Sequence, residues 1–377
     1  MKSAVLSPSG LQQEARRRTI LTGLAILTAL GILLIGLLAD ASLMALTASA
    51  ATPPERFVLR GERVEISDLA GTVRVVPGPG TRTEVIVTRG GRDAERLFVK
   101  QDEVSGTSRL RIGMPGRSLV YPGREHSGRT TIMVDRDGCL PGRGAGQRRI
   151  TISRGGRGPQ AWADLEVRVP RGQRLVVRLG VGRAEARDVD GDLTLDAAAA
   201  SVASEGTSGR IVVDTGSGSV ALRRHRGDAS VDTGSGDVEV EDVQGGSLSV
   251  DTGSGSVTGG GVTGDELRVD TGSGSVRIDE VRARTVRVDT GSGGVSLALA
   301  GQPESVHVDT GSGGVTITGP ADLSATVELE TGSGGIDLGY TVSRLKREHG
   351  YLRGTIGDGR AQIEVDTGSG SVRLASR

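Results

Sequence analysis

The pentapeptide DTGSG begins at Asp214, Asp232, Asp251, Asp270, Asp289, Asp309 and Asp366, and an ETGSG opens at Glu330. Successive first residues lie 18, 19, 19, 19, 20, 21 and 36 apart, the last interval being about two steps. Weaker copies extend the series backwards in steps of 18, to Asp196 in "LTLDAAAASV" and Arg178 in "LVVRLGVGRAEA". A more distant copy, "VEISDLAGTVRV" at 64–75, aligns without a gap and puts Ser67 at the Asp position. A unit this short cannot bury an apolar face by itself, so a fixed period near 19 demands that neighbouring repeats stack and cover one another.

With the Asp of each DTGSG as offset zero, offset −3 is apolar throughout, from Ile211 to Ile363, and offset −1 is Val in every DTGSG copy. Offset +6 is Val or Ile, and offset +8 is apolar in nearly all copies, Gly259 being the exception. Alternation on both sides of the glycines gives two short strands per repeat, each with one buried face. The expected fold is therefore all-β: a single-chain β-solenoid of the β-helix or β-roll kind with coils of 18–20 residues, after an N-terminal hydrophobic helix. In the weak copies the Thr and Ser of the motif become Ala197 and Ala199, or Leu179 and Val181. Such replacements predict that both hydroxyl columns face inward. One is Thr215, Thr233, Thr252, Thr271, Thr290 and Thr310; the other is Ser217, Ser235, Ser254, Ser273, Ser292 and Ser312. Offset zero accepts Asp, Glu330, Ser67 and Arg178, which predicts a position facing solvent or a turn.

Asp-Thr-Gly also spells the catalytic loop of aspartic proteases, but that chemistry needs one pair of carboxylates, and this chain repeats the loop seven times. Stacked at about 4.8 Å, the Asp side chains would raise one another's pKa. Asx-turns to the following amides, protonation, or a bridging cation would each relieve the repulsion. The cation reading makes Asp214, Asp232, Asp251, Asp270, Asp289 and Asp309 a calcium ladder, though the nine-residue G-G-x-G-x-D unit of calcium-binding β-rolls is absent. No cofactor is expected.

Lys plus Arg and Asp plus Glu both total 46, which gives nucleic acid or an acidic membrane surface nothing to recognise. Aromatic residues are 2% of the chain, too few for a base- or sugar-stacking face. Cys139 stands alone, and His126, His225, His307 and His349 lack metal-ligand spacing and are expected in turns or at the surface. No Ser-His-Asp order or phosphate-cradling loop emerges, so no enzyme activity is expected. Glu239, Arg277, Asp337 and Arg373 do project outward from neighbouring repeats, the one feature a carbohydrate-active β-helix would share.

Three regions follow from the sequence. Residues 1–50 form a signal peptide or a membrane anchor: Arg16–Arg18 precede an apolar run at 19–39, and small-residue cleavage patterns follow at Ala39-Asp40-Ala41 and Ala48-Ser49-Ala50. If retained, the run is long enough to span a bilayer, and either way residues 51–377 lie outside the cytoplasm. Residues 55–170 read as a β-rich part with insertions that supplies the first coil and a cap, and 171–377 as the regular solenoid. The last coil ends at Arg377, where an open edge would be blunted by Arg373 and Arg377, covered by 339–360, or used to add a partner's strand.

The "VEISDLAGTVRVV" opening, the junction "ADLEVRVPRGQRLVVRLGVG" at 163–182, the serial "VDTGSGSV" coils and the closing "GTIGDGRAQIEVDTGSGSVRL" at 354–374 resemble a bacterial family of β-strand-repeat domains labelled as adhesins. The resemblance covers about 55–377, with 86–165 departing from the regular pattern, and implies a β-solenoid on the cell envelope without a known reaction. The function expected is an exported adhesin-like or structural module. A membrane-anchored ligand- or stress-sensing module is the alternative.

Overall fold

The alternating apolar residues of each repeat do form two short parallel walls, and the repeats stack in register. The computed structural model describes residues 53–377 apart from 124–127 and 141–145. The expected leader or anchor, and His126, lie outside the described residues. Among the described residues no helix is long and apolar enough to cross a membrane, and the helical element is a single 3-10 turn, Ala94–Arg96.

Coils can be named by their residue at offset zero. Ser67 pairs with Arg178, Arg178 with Asp196, and the register continues without slip through Asp214, Asp232, Asp251, Asp270, Asp289 and Asp309. All these pairs are parallel. Offsets −3, −1 and +6 point inward as the alternation predicts: Ile211, Val213 and Val220 are buried, and so are their counterparts in the following coils, except that Ile336 in the terminal Glu330 coil is half-buried. The interior is thus a column of Val, Ile, Leu and Ala, thin enough that it needs almost no aromatic residue.

The DTGSG corner holds the coils together. The Thr column is buried, as expected. Each hydroxyl donates to a main-chain carbonyl of the coil before it in the stack: Thr252 to Gly236, Thr271 to Gly255 and Thr290 to Gly274, at 3.1–3.3 Å. The same oxygen accepts the amide of the Gly three residues on, 3.0 Å from Gly255, Gly274 and Gly293. One buried side chain therefore satisfies a turn amide within its coil and a carbonyl in the preceding one. The second Gly of the motif sits where its neighbour leaves no room for a side chain: a Cβ on Gly274 would lie 1.8 Å from the Gly255 oxygen.

The Ser column is a correction. Ser217, Ser235, Ser254, Ser273, Ser292 and Ser312 are all exposed. The motif runs Thr in, Gly-Ser out, Gly in, so the phase change falls between Thr and the second Gly. The degenerate copies misled because their corner is covered. Val181 is fully buried and Ala199 nearly so, and a Cβ on Gly180 would lie 2.9 Å from Ile132 Cδ1, which belongs to the insertion. Leu140 covers Ser67 in the same way, its carbonyl accepting the Ser67 hydroxyl at 2.9 Å.

Two further corners recur in the coils from Arg178 onward, as far as the Asp270 coil. One is a column of left-handed residues at 18–19-residue steps: Asp188, Gly206, Arg224, Asp242, Gly261 and Glu280, with φ between 50° and 71°. The residue after each points inward, giving Val189, Thr207, His225, Val243, Val262 and Val281. The other is a glycine column, where a Cβ on Gly227 would lie 2.0 Å from the Gly209 oxygen.

At the far end the chain departs from sequence order. The Asp366 coil lies between the Asp309 and Glu330 coils: Ala361–Thr367 pairs with Ser305–Thr310 on one side and Ala325–Thr331 on the other. Val372–Ser376 is likewise held between Val315–Gly319 and Ile336–Gly339. The open edge expected at the last coil is therefore internal. The Glu330 coil ends the stack, and residues 339–360 cover it in part: Tyr351–Ile356 pairs antiparallel with Ala325–Thr331, and Ser343–Glu348 lies outside that. Arg344, Lys346, Arg347 and Glu348 keep this outer strand charged, a common protection of sheet edges.

At the near end the insertion both continues the stack and caps it. Thr107–Gly113 and Trp162–Val169 pair parallel with the two halves of Arg63–Pro77, completing one discontinuous coil. Phe98–Val104, Thr83–Gly90 and Glu55–Leu59 then add antiparallel strands, so the near end is closed by reversed strands. A separate three-stranded sheet of Ser118–Val120, Arg148–Ser153 and Arg129–Val134 accompanies them.

The corner geometry separates residues that composition treats alike. Thr271→Val strands the Gly255 carbonyl and Gly274 amide and should cost about 1–3 kcal/mol in chemical unfolding. Ser273→Asp, on the outside, should stay within about 0.5 kcal/mol of the parent. Gly274→Ala should cost about 1–3 kcal/mol or more through overpacking. Equal tolerance of Thr271→Val and Ser273→Asp would refute the assignment of the corner.

Candidate functional site: outer columns and buried polar groups

The outer face of the first wall carries the Asp column, continuous from Asp196 through Asp309 to Asp366 and Glu330. These carboxylates are exposed, apart from a partly covered Asp270. The turn is organised by the Thr hydroxyl, and the relief expected from Asx-turns is not what caps it. Partial burial, then the neighbouring Asp196 carboxylate, raises the pKa of Asp214. Asp251 is raised by burial and then by Asp270 and Asp232. Further along, Arg268 reaches Asp270 at 3.7 Å and supplies positive charge that Asp214 and Asp232 lack. Among the described residues no group of three His, Cys, Asp or Glu side chains could hold a metal ion.

Glu239, Arg277, Arg373 and Asp337 share one column on the second wall, separated by Thr258, Ser296 and Thr316. They do not converge. Glu239 pairs with Arg223 at 2.6 Å and Asp337 with Arg373 at 3.5 Å, on a flat and solvated face. A cleft of about 1130 Å³ lies beside Glu62, the 77–81 turn, Arg171 and Asp190. Its floor is held by Gln173, whose Nε2 donates to the Glu62 carbonyl at 2.7 Å. That side chain is committed to tying loops together.

Four buried polar groups escaped sequence reasoning. His225, expected in a turn or at the surface, is fully buried in the left-handed corner. Its Nε2 faces the Asp228 carbonyl at 3.4 Å, which can only accept, so Nε2 carries the proton. Nδ1 then accepts the Thr207 hydroxyl at 2.9 Å, and Ser204 donates to Thr207 at 2.9 Å. Burial lowers the His225 pKa. Asp68 occupies the inward Thr position of the Ser67 coil and is 1% exposed. Neither of its oxygens completes a hydrogen bond. Burial, then the Asp164 carboxylate, pushes its pKa well above the usual range, and the nearby Leu69 and Ala70 amides offset only part of this. Arg111, nearly buried, is held by Asp102 at 2.7 Å and Asp135 at 2.8 Å. Beside it Cys139 is fully buried, and burial pushes its thiol up to about 11.

Asp68, Arg111 and Cys139 gather where the insertion meets the Ser67 coil, with Arg111 in register beside Ser67, and His225 lies in the left-handed corner. All are buried, and among the described residues no nucleophile, base and open space meet. What the exposed surface offers is repetition: a ridge of Asp, Gly and Ser along one corner and mixed charges on the flat walls.

Residues 150–375 match the model of a family described as Toastrack DUF4097, in agreement with the β-strand-repeat resemblance of the sequence. No curated protein matches the chain. Among solved structures, a "putative cell adhesion protein" from Clostridium sporogenes is similar at 12% identity, covering 86% of this chain and all of that one, with a TM-score of 0.19. A "putative lipid binding protein" from Parabacteroides distasonis is similar at 13% identity, covering 85% of this chain and 96% of that one, with a TM-score of 0.39. Likenesses this loose carry no argument about ligand or partner.

Both misplaced ionisable groups give pH predictions of opposite sign. The folded pKa of His225 lies below its unfolded value, so its contribution is intact above about 6.5 and is lost as pH falls below it. His225→Val, matching Val189 and Val243, should flatten the acid side of a melting-temperature profile. Asp68 has a raised folded pKa, so stability is lost as pH rises from about 4 toward that value. Asp68→Asn should therefore raise the melting temperature at pH 8 and leave it nearly unchanged at pH 3. An unaltered profile in either variant would contradict the corresponding placement.

Proposed function

The chain belongs to the Toastrack DUF4097 family, and from that premise we propose that it is a non-enzymatic, exported β-solenoid that works through its repetitive outer surface as an adhesin-like or structural module of the cell envelope. The observation that carries this reading is the uniform ridge: exposed Asp, Gly and Ser recur in register along the stack while the described interior is filled. Such a face suits adhesion to a repetitive surface better than capture of one small molecule. The basic–apolar–small pattern of residues 1–50 supports export. A purified protein that hydrolysed peptides or polysaccharides would overturn the non-enzymatic reading.

Exposure on the cell can be read with a membrane-impermeant maleimide. The native Cys139 is a poor reporter, because it is buried and its raised pKa leaves roughly a hundredfold less thiolate than an unperturbed cysteine. Ser273→Cys places a thiol on the exposed ridge. Intact cells carrying Ser273→Cys should label, while the parent should label only after denaturation. Labelling of Ser273→Cys only after permeabilisation would overturn surface display and adhesion, and favour a structural or sensing role within the envelope.

A further inference from the structure

The exchanged order of the last coils has a specific physical origin. In the first wall the strands run Ser305–Thr310, Ala361–Thr367, Ala325–Thr331, Tyr351–Ile356 and Ser343–Glu348. The chain leaves Tyr351–Ile356 on the outer side of Ala325–Thr331 and re-enters on its inner side. Residues 357–360 must therefore cross over the end of that strand. The crossing is tight: Gly357 and Gly359 are left-handed, at φ 55° and 72°. The Ser324 hydroxyl accepts the amides of Asp358 and Arg360 at 3.1 and 3.3 Å.

Both faces of the inserted coil use the same chemistry. Thr367 donates to the Gly313 carbonyl at 2.9 Å, and Thr331 donates to the Gly370 carbonyl at 2.7 Å. The close glycine approach repeats as well: a Cβ on Gly370 would lie 1.9 Å from the Gly313 oxygen, and one on Gly334 the same distance from the Gly370 oxygen. The Glu330 coil thus presents to its neighbour what the Asp366 coil presents to the Asp309 coil. Its register would also let it close directly on the Asp309 coil, Thr331 taking the place of Thr367.

We propose that residues 361–377 are an exchangeable coil, and that their second acceptor is another copy of this chain, which receives them between its own 305–319 and 325–339 coils in a reciprocal dimer. Every hydrogen bond of the exchanged state already exists within one chain, so the balance is set by the strain of the 357–360 crossing and by protein concentration. The inference goes beyond the adhesive reading and holds wherever the protein resides.

Thr316 and Arg373 are in-register partners on the outer side of the second wall, and parallel neighbours are close enough for a disulfide. Full-length Thr316→Cys and full-length Arg373→Cys, unfolded, mixed and refolded together under oxidising conditions, should give a covalent heterodimer well above the level of either homodimer. Deleting Asp358 and Gly359 from both chains makes the crossing harder within one molecule and should raise the heterodimer yield. A heterodimer no more abundant than the homodimers, in chains whose melting shows they have refolded, overturns the proposal. If the deletion prevents folding, the pair with the intact crossing decides alone.

Discussion

The stack depends on one buried hydroxyl per coil. A coil of this kind must turn sharply where its neighbour lies within backbone contact, and a side chain beyond Cα on the second Gly would meet that neighbour's carbonyl oxygen. Closeness at this corner leaves no room for water, so the turn amide and the facing carbonyl need a partner inside the protein. Thr supplies it, with one atom that accepts from Gly274 and donates to Gly255 in the case of Thr271. Its methyl group fills the remaining apolar space. Serine would keep the hydrogen bonds and lose the packing, and valine would do the reverse.

That constraint explains where variation is permitted. The repeat lengthens from 18 to 21 residues along the chain while the Thr register never slips. The added residues fall at the other corners, which carry left-handed residues of mixed chemistry or longer connections. At the near end the rule is relaxed: Leu179 and Ala197 replace Thr, and the adjoining strands Gln173–Arg187 and Gly191–Glu205 pair along nearly their whole length instead. Asp68 takes the position that Thr would fill, beside the discontinuous coil where the insertion meets the stack.

Much of this was legible in the sequence because the repeat is its own alignment. The period, the inward phase at offsets −3, −1 and +6, and the place of the 64–75 copy all follow from alternation, which burial enforces. The Ser column was misread for a physical reason: Val181 and Ala199 are buried in coils whose corner at Gly180 meets Ile132 of the insertion, and covering by a distant segment leaves no local mark. The left-handed corner was invisible because Asp188, Gly206, Arg224 and Glu280 share a backbone angle and no side-chain property. His225 hid in that corner, where its neighbours in adjoining coils are Thr and Val. The order of the last three coils could not be read at all, since the Asp309, Glu330 and Asp366 coils carry interchangeable edges.

The hydroxyl column also has a direction. Main-chain hydrogen bonds between coils point both ways along the axis, Gly216 donating back to Ala197 and Val220 forward to Asp237, and largely cancel. The Thr hydroxyls do not cancel. From Thr215 through Thr310 to Thr367 and Thr331, each points its proton toward the preceding coil. Summed along the axis, these hydroxyl dipoles add, each with its positive end toward the coils that carry the insertion. The column thereby tells apart the two ends of a stack whose coils are otherwise built alike.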